Sequence, residues 1–176
     1  VQDAGVSVMS MSLDGGSAET HDAFRGFPGT FDRTIEACHM LNELGMRFQL
    51  NTVFTAKNIH EAPQMLKNAI DLGAFMFYTF MLVPTGRGQH LDMLTPHERE
   101  DVLHWLHDNS TRIAIKTTEA PQYRRIAFQR EAVRQGKAAP AKHGELYHWL
   151  TKETHELLGE NIEEPRPPRT PLAINS

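Results

Sequence analysis

The groups in this chain best suited to chemistry are polar residues at the ends of apolar runs. The run 6–13 delivers the hydroxyl of Ser12 and the carboxylate of Asp14 to a turn made by Gly15 and Gly16. Such a strand end is where open α/β sheets and (β/α) barrels place their ligands, although Asp14-Gly15 taken alone reads first as an ordinary loop entry. Asn51 and Thr52 stand in the second half of another β-like run, 48–55, where they can serve a ligand or simply satisfy neighbouring backbone. Pro84-Thr85-Gly86-Arg87-Gly88 closes a third run and Thr117-Thr118-Glu119 a fourth. The first of these loops could cradle an anion on its backbone N–H groups and Arg87, but it lacks the Gly-x4-Gly-Lys-Ser/Thr spacing and reads equally as an exposed turn.

Other chemistries are not announced. None of the ten histidines forms a His-Glu-x2-His pair, and His97, His104 and His107 share one helical stretch with polar neighbours, for which a solvated face is expected. There is no Gly-x-Ser-x-Gly elbow and no Gly-x-Gly-x2-Gly after a strand. The single cysteine, Cys38, excludes an intrachain disulfide and any cysteine-only metal or iron–sulfur site made by this chain alone. It lies on the apolar face of a helix with Ile35, Leu41 and Leu44, where a small buried hydrophobe is expected.

The elements that must position these groups alternate. Ser17 and Glu19 start a short helix that ends before the punctuated loop 25–29. Thr30 is expected to cap a helix running to Gly45, and Asn58 a helix over 59–72 with Pro63 in its first turn. Thr95 and Glu98 make a capping box, with Pro96 at the first helical position of a helix reaching Asp108 and packing through Val102, Leu103, Trp105 and Leu106. Strands are expected over 48–55, 74–83 and 112–117. The run 74–83 is almost unbrokenly apolar, and the run from Val6 has apolar residues on both faces, so both suit strands covered by helices. Helical pattern resumes to about Gln135 and again over 143–158. The order strand, helix, strand, helix, strand, helix, strand gives a parallel sheet with outer helices. Four strands are too few to close a barrel, and the first would expose an apolar edge.

A chain of 176 residues suffices for one domain, since roughly 150 residues bury about 70% of their unfolded surface. The net charge of −4 offers no broad basic field for nucleic acid or anionic membrane, although Arg124 and Arg125 are adjacent. No apolar run approaches the ~18 to 20 residues of a membrane helix, and no signal peptide is evident, so a cytoplasmic location is expected. The start at Val1, with Gln2 to Gly5 like a glycine-capped helix end, is expected of a chain that begins in mid-domain. The proline-rich segment 163–171 is expected to be a linker or tail.

Several blocks together resemble the later half of a radical S-adenosylmethionine (SAM) domain. They are Met11-Ser12-Leu13-Asp14-Gly15, His21-Asp22-Ala23-Phe24-Arg25-Gly26, Pro28 to Asp32, Asn51-Thr52-Val53, Leu82 to Gly88, and Lys116 to Pro121 with Tyr123-Arg124-Arg125. The likeness spans roughly residues 5 to 128 and is similar to the branch with a carboxy-terminal iron–sulfur (SPASM-type) extension, which includes peptide-modifying and haem-related maturation enzymes. It implies α/β architecture as a partial (β/α) barrel of TIM-like type, parallel strands with outer helices, and the amino-terminal half missing. The strands at Val6, Phe48 and Ala74 would resemble the family's fourth, fifth and sixth. The implied divisions are 1–128 as the half-barrel, 129–160 as a helical extension and 161–176 as the linker or tail.

Under this resemblance Ser12 bonds the ribose or amino-acid part of SAM, with Asp14 supporting the loop, and Arg25 pairs with the methionyl carboxylate. Asn51 and Thr52 lie beside the nucleoside, and Leu82, Val83 and Pro84 flank adenine. Arg87, Glu119, Tyr123 and Arg124 are assigned to the substrate side. The family's Cys-x3-Cys-x2-Cys loop and the cysteines of its extension are absent. The chain is therefore expected to be an inactive fragment whose parent holds a [4Fe–4S] cluster, takes an electron from a donor, and cleaves SAM reductively to a 5′-deoxyadenosyl radical. That radical abstracts hydrogen from a peptide or small-molecule substrate, in peptide modification or haem or cofactor maturation. Two other readings stand beside it: a non-catalytic half-barrel binding a nucleoside or partner protein, and a TIM-like hydrolase or lyase using Asp14 and Glu119 as acid and base.

Overall fold

In the computed structural model, which describes residues 5–83, 93–118, 120–161, 163 and 165, alternating burial along one strand sets the architecture. In β2 (Arg47–Phe54), Phe48, Leu50, Thr52 and Phe54 are buried, while Gln49, Asn51 and Val53 between them are only half-covered. Successive side chains on a strand point to opposite faces, so one face of the sheet is packed and the other open.

The other strands are β1 (Val8–Ser12), β3 (Met76–Met81) and β4 (Ala114–Thr118). All pairs are parallel and the sheet order is β1-β2-β3-β4. Because each crossover steps to the next neighbour in the same direction, the sheet is a length of barrel wall, without the switch point of a doubly wound sheet. Register aligns Ser12, Asn51, Tyr78 and Lys116 in one row across it. The expected α/β fold with parallel strands and outer helices is what the structure has.

The helices are α1 (Ala18–Arg25), α2 (Thr30–Glu43), α3 (Ala62–Asp71), α4 (Pro96–Asp108), α5 (Gln122–Arg134) and α6 (Glu145–Leu158). Cys38, Met65, Leu66 and Ala69 join Leu50, Phe54 and Phe77 in the core, together with Leu103, Trp105, Leu106 and Leu150. Burying a large apolar side chain contributes about 1.5–3 kcal/mol. None of the described helices is long and apolar enough to cross a membrane.

Several expectations are corrected. The strands at Val6 and 74–83 are not covered on both faces. Val6 and Val8 are exposed, and Tyr78 and Phe80 are half-covered. The alternation was hidden because aromatic residues stand on the open face as well as the packed one. Thr30 does not cap α2: Gly29 takes the cap position at φ 76°, and Asp22 reaches over from α1. Asp22 accepts the Gly29 N–H at 2.5 Å and the Phe31 N–H at 2.8 Å, and a carboxylate serves free helix donors better than a hydroxyl. Asn58 does not cap a helix over 59–72; a 3-10 turn (Ile59–Glu61) intervenes, and the Asn58 side chain turns back to the loops. His104 and His107 are buried rather than on a solvated face, because α5, α6 and the segment joining them cover that side of α4; His97 is exposed.

Local signals held where they are self-contained. Ser17 caps α1, and Thr95 and Glu98 form the reciprocal box of α4 at 3.2 and 2.7 Å. Position 128 falls inside α5, and α6 packs onto α4, where Trp105 Nε1 donates to Thr154 Oγ1 at 2.9 Å. Pro84, Arg87 and Glu119 lie outside the described residues.

Candidate functional site

Parallel strands bring their carboxyl ends to one edge, and the loop leaving β1 is fixed there by its own backbone. Leu13 N–H donates to the Asn51 carbonyl at 2.9 Å, and the Leu13 carbonyl accepts from Thr52 Oγ1 at 2.6 Å. Asp14, 1% exposed, donates its N–H to His21 Nδ1 at 3.0 Å and accepts the Val53 N–H on Oδ1 at 2.8 Å. Its carbonyl accepts from Asn58 Nδ2 at 3.0 Å.

The second carboxylate oxygen, Oδ2, lies 2.5 Å from Arg25 Nη2 at the end of α1. This buried oxygen has no aligned hydrogen bond, so the contact is one of charge. Burial pushes the Asp14 carboxyl above its ordinary value, opposed by the Val53 N–H and the Arg25 charge. Burial likewise holds His21 below its ordinary value, as suits a neutral ring that accepts on Nδ1.

Gly15 and Gly16 allow this loop to lie so close. A Cβ on Gly15 would come within 2.9 Å of His21 Cα, and one on Gly16 within 2.8 Å of Gln64 Cβ. The Gly16 N–H donates to Glu61 Oε2 at 2.6 Å, Thr20 Oγ1 bonds the other Glu61 oxygen, and Asn68 Nδ2 donates to the Gly16 carbonyl at 3.0 Å. The turn is thus pinned to α3 and the 3-10 turn before it.

The structure therefore brings Ser12, Asp14, Arg25 and Asn51 to one strand end. Ser12 and Asn51 are register partners on the open face, and Asn51 Oδ1 accepts from Gln49 Nε2 at 2.9 Å. Thr52 points to the packed face and its hydroxyl is used by Leu13. Leu82 is buried, its N–H bonds the Phe54 carbonyl at 3.3 Å and its carbonyl accepts from Arg99 at 3.1 Å; Val83 is exposed. Tyr123 is placed elsewhere, between α4 and α5 near His107, where burial and the Asp108 charge push its phenol up to about 12. Arg124 is exposed, its guanidinium 5.6 Å from the Phe128 ring.

Sequence reasoning missed the roles of His21, Asn58 and Glu61, which hold the loop. It also missed Gln49, Tyr78 and Lys116 on the open face. The signal available was Gln49 and Asn51 two residues apart in β2, a polar period of two.

No family model matches the chain. Among curated proteins, the AdoMet-dependent heme synthase of Methanosarcina barkeri is 41% identical over 152 residues, which cover 85% of this chain and 43% of that protein. The AdoMet-dependent heme synthase of Oleidesulfovibrio alaskensis is 41% identical over 134 residues, covering 74% of this chain and 34% of that protein. The pre-heme d1 synthase of Dinoroseobacter shibae is 33% identical over 88 residues, or 50% of this chain and 22% of that protein. The chain is a homologue of radical SAM enzymes of the SPASM-type branch. It spans less than half the length of these relatives. The chain has one cysteine. Cys38 is wholly buried in the core, burial pushes its thiol up to about 11, and among the described residues no three His, Cys, Asp or Glu side chains are grouped to hold a metal ion.

Proposed function

We propose that this chain forms the SAM-holding wall of a radical SAM enzyme that acts in making haem or a related cofactor. The observation that carries the reading is the Asp14–Arg25 pair beside Ser12 and Asn51, at the carboxyl edge of a barrel-like parallel sheet. The names and 41% identity of the heme synthases support the choice among the branch's chemistries.

Arg25 is 39% exposed, so it can face Asp14 with one nitrogen and keep donors for a second carboxylate, that of the methionyl group of SAM. The buried Asp14 fixes the guanidinium against α1 and holds the β1 loop through Val53 and Asn58. The Ser12 hydroxyl and Asn51 amide offer donor and acceptor groups to the amino-acid or ribose part, and Thr52 positions the strand end beneath them through Leu13. Leu82 and Val83, with Pro84, offer apolar contact to adenine. When bound, SAM supplies hydrogen-abstraction chemistry; these residues contribute orientation and exclusion of water. The [4Fe–4S] cluster belongs to cysteines of a longer parent, which also meets the electron donor.

The test is reductive SAM cleavage by the parent protein, loaded with its cluster under anaerobic conditions and followed as methionine released. Release that falls in Asn51→Ala while cluster content holds is expected. No SAM-dependent release from the wild type overturns the proposal.

A further inference from the structure

We propose that Arg99 is a positioning residue for the nucleoside end of the SAM site, holding the end of β3 where the neighbouring strand has run out. This rests on reading the carboxyl edge as the SAM-holding wall, with Leu82 and Val83 against adenine, and it names the group that sets that part of the wall.

The ladder between β2 and β3 ends too early for β3. Register sets Phe54 beside Met81, so its continuation would set Thr55 beside Leu82. In a parallel pair Leu82 would then donate its N–H to the Phe54 carbonyl and accept at its own carbonyl from the N–H of Ala56. The first bond is made, at 3.3 Å. The second is replaced, because β2 stops at Phe54 and the chain turns over 56–58, where the Asn58 side chain accepts the Thr55 N–H at 2.8 Å. The Leu82 carbonyl accepts instead from Arg99 Nη2, at 3.1 Å. A buried strand end calls for a partner on that carbonyl, and a guanidinium from α4 supplies the missing rung.

The donor stands on a rigid mount. Arg99 lies in the first turn of α4, which the Thr95 and Glu98 box closes, and its own N–H bonds the Thr95 carbonyl at 2.9 Å. Leu103, one turn further on, is buried in the core.

Holding the carbonyl has a consequence for the site. The Leu82–Val83 peptide is a plane, so fixing its oxygen fixes the direction in which Val83 leaves the sheet. Val83 is 46% exposed and has no packing of its own to set that direction. Arg99 thus acts on the nucleoside end through the backbone, as Arg25 acts on the amino-acid end by contact. Met93, Pro96, Leu103 and Gln122 line with Arg99 a cavity of about 440 Å³. Water on that side can take over the carbonyl when the guanidinium is removed, so its loss loosens the strand end more than it unfolds the chain.

The test is equilibrium dialysis of the full chain against SAM and against 5′-methylthioadenosine, which keeps the adenosine and lacks the methionyl carboxylate, with urea midpoints measured alongside. Arg99→Met is expected to weaken both ligands alike, by about three- to tenfold, less than the tenfold or more of a charge-assisted pair lost by contact. Arg99→Lys, whose ammonium can still donate to the Leu82 carbonyl, should retain most of the affinity, and the urea midpoints of both should stay at the wild-type value. Arg25→Ala should weaken SAM and leave 5′-methylthioadenosine as it is. Should Arg99→Met not fold, Arg99→Gln, with its shorter reach, takes its place in the same comparison. Wild-type affinity for either ligand in Arg99→Met, an equal loss in Arg99→Lys, or a loss that comes with a lowered midpoint overturns the positioning role. A wild type that binds SAM but not 5′-methylthioadenosine, or SAM binding lowered by Arg25→Ala and untouched by Arg99→Met, overturns this inference alone. A wild type that binds neither ligand overturns the SAM-holding wall and this inference with it.

Discussion

Arg25 Nη2 stands 2.5 Å from Asp14 Oδ2, tying the last turn of α1 to the loop that leaves β1. The pair is unequal: the carboxylate is buried and accepts the Val53 N–H, with the Asp14 backbone held by His21 and Asn58, while the guanidinium is partly exposed. The loop is hydrogen-bonded on the protein's side, and the guanidinium is open to solvent on the other.

Removing either partner should cost stability by different amounts. Arg25→Ala strands a buried carboxylate oxygen, for which about 1–2 kcal/mol is expected, at the low end because the guanidinium is partly solvated. Asp14→Ala also leaves the Val53 N–H unpaired and is expected to cost about 2–4 kcal/mol. Urea denaturation midpoints of the two variants give the comparison; equal midpoints would show that the carboxylate is not the anchor.

The chain should lose stability as the solution becomes acidic, through His104. Burial, with the nearby His143 and Arg130 charges, lowers its pKa from the ordinary 6.5 to about 4. Above 6.5 the ring is neutral in both folded and unfolded chains, so its contribution is fully present. Between 6.5 and about 4 the unfolded chain takes up a proton that the folded one refuses, and stability falls as pH falls. Unfolding free energies measured from pH 7.5 to 4.5 in the wild type and His104→Gln should show a shallower slope in the variant.

The helix α6 should be part of the core rather than an appendage. Thr154 accepts from the buried Trp105 indole, and Leu150 is wholly buried. Thr154→Val is expected to cost about 1–2 kcal/mol, and removal of residues 143–161 to abolish cooperative unfolding. A cooperative transition in the shortened chain would establish 129–160 as a separable extension.

Cys38 should resist alkylation in the folded state. Its thiol is buried and its pKa is pushed up to about 11, so thiolate is scarce at neutral pH. Iodoacetamide labelling followed by mass should proceed only in denaturant; rapid labelling of native chain would contradict the packing of α2.

What was legible in the sequence depended on range. The Thr95-Pro96-Glu98 box and the burial of Cys38 rest on residues within a turn or two, and both are found. The alternation of elements, with connections long enough for crossovers, was enough to indicate the parallel order. The Asp14–Arg25 contact was not legible, since it requires α1 to fold back over Gly15 and Gly16. Asp22 outcompeted Thr30 as a cap because α1 presents it there, a tertiary fact. Tyr78 and Phe80 looked like core because aromatic side chains suit a packed face, whereas these two stand half-covered on the open one. His104 looked solvated because its cover comes from α5, α6 and the segment between them.

The most direct test of the SAM-holding wall is equilibrium dialysis of labelled SAM against the chain and its Arg25→Ala variant. Saturable binding by the wild type, weakened in the variant by the on the order of 1.5–3 kcal/mol of a charge-assisted pair, is the predicted result. Equal affinities in the two proteins would remove Arg25 from the site and contradict the account.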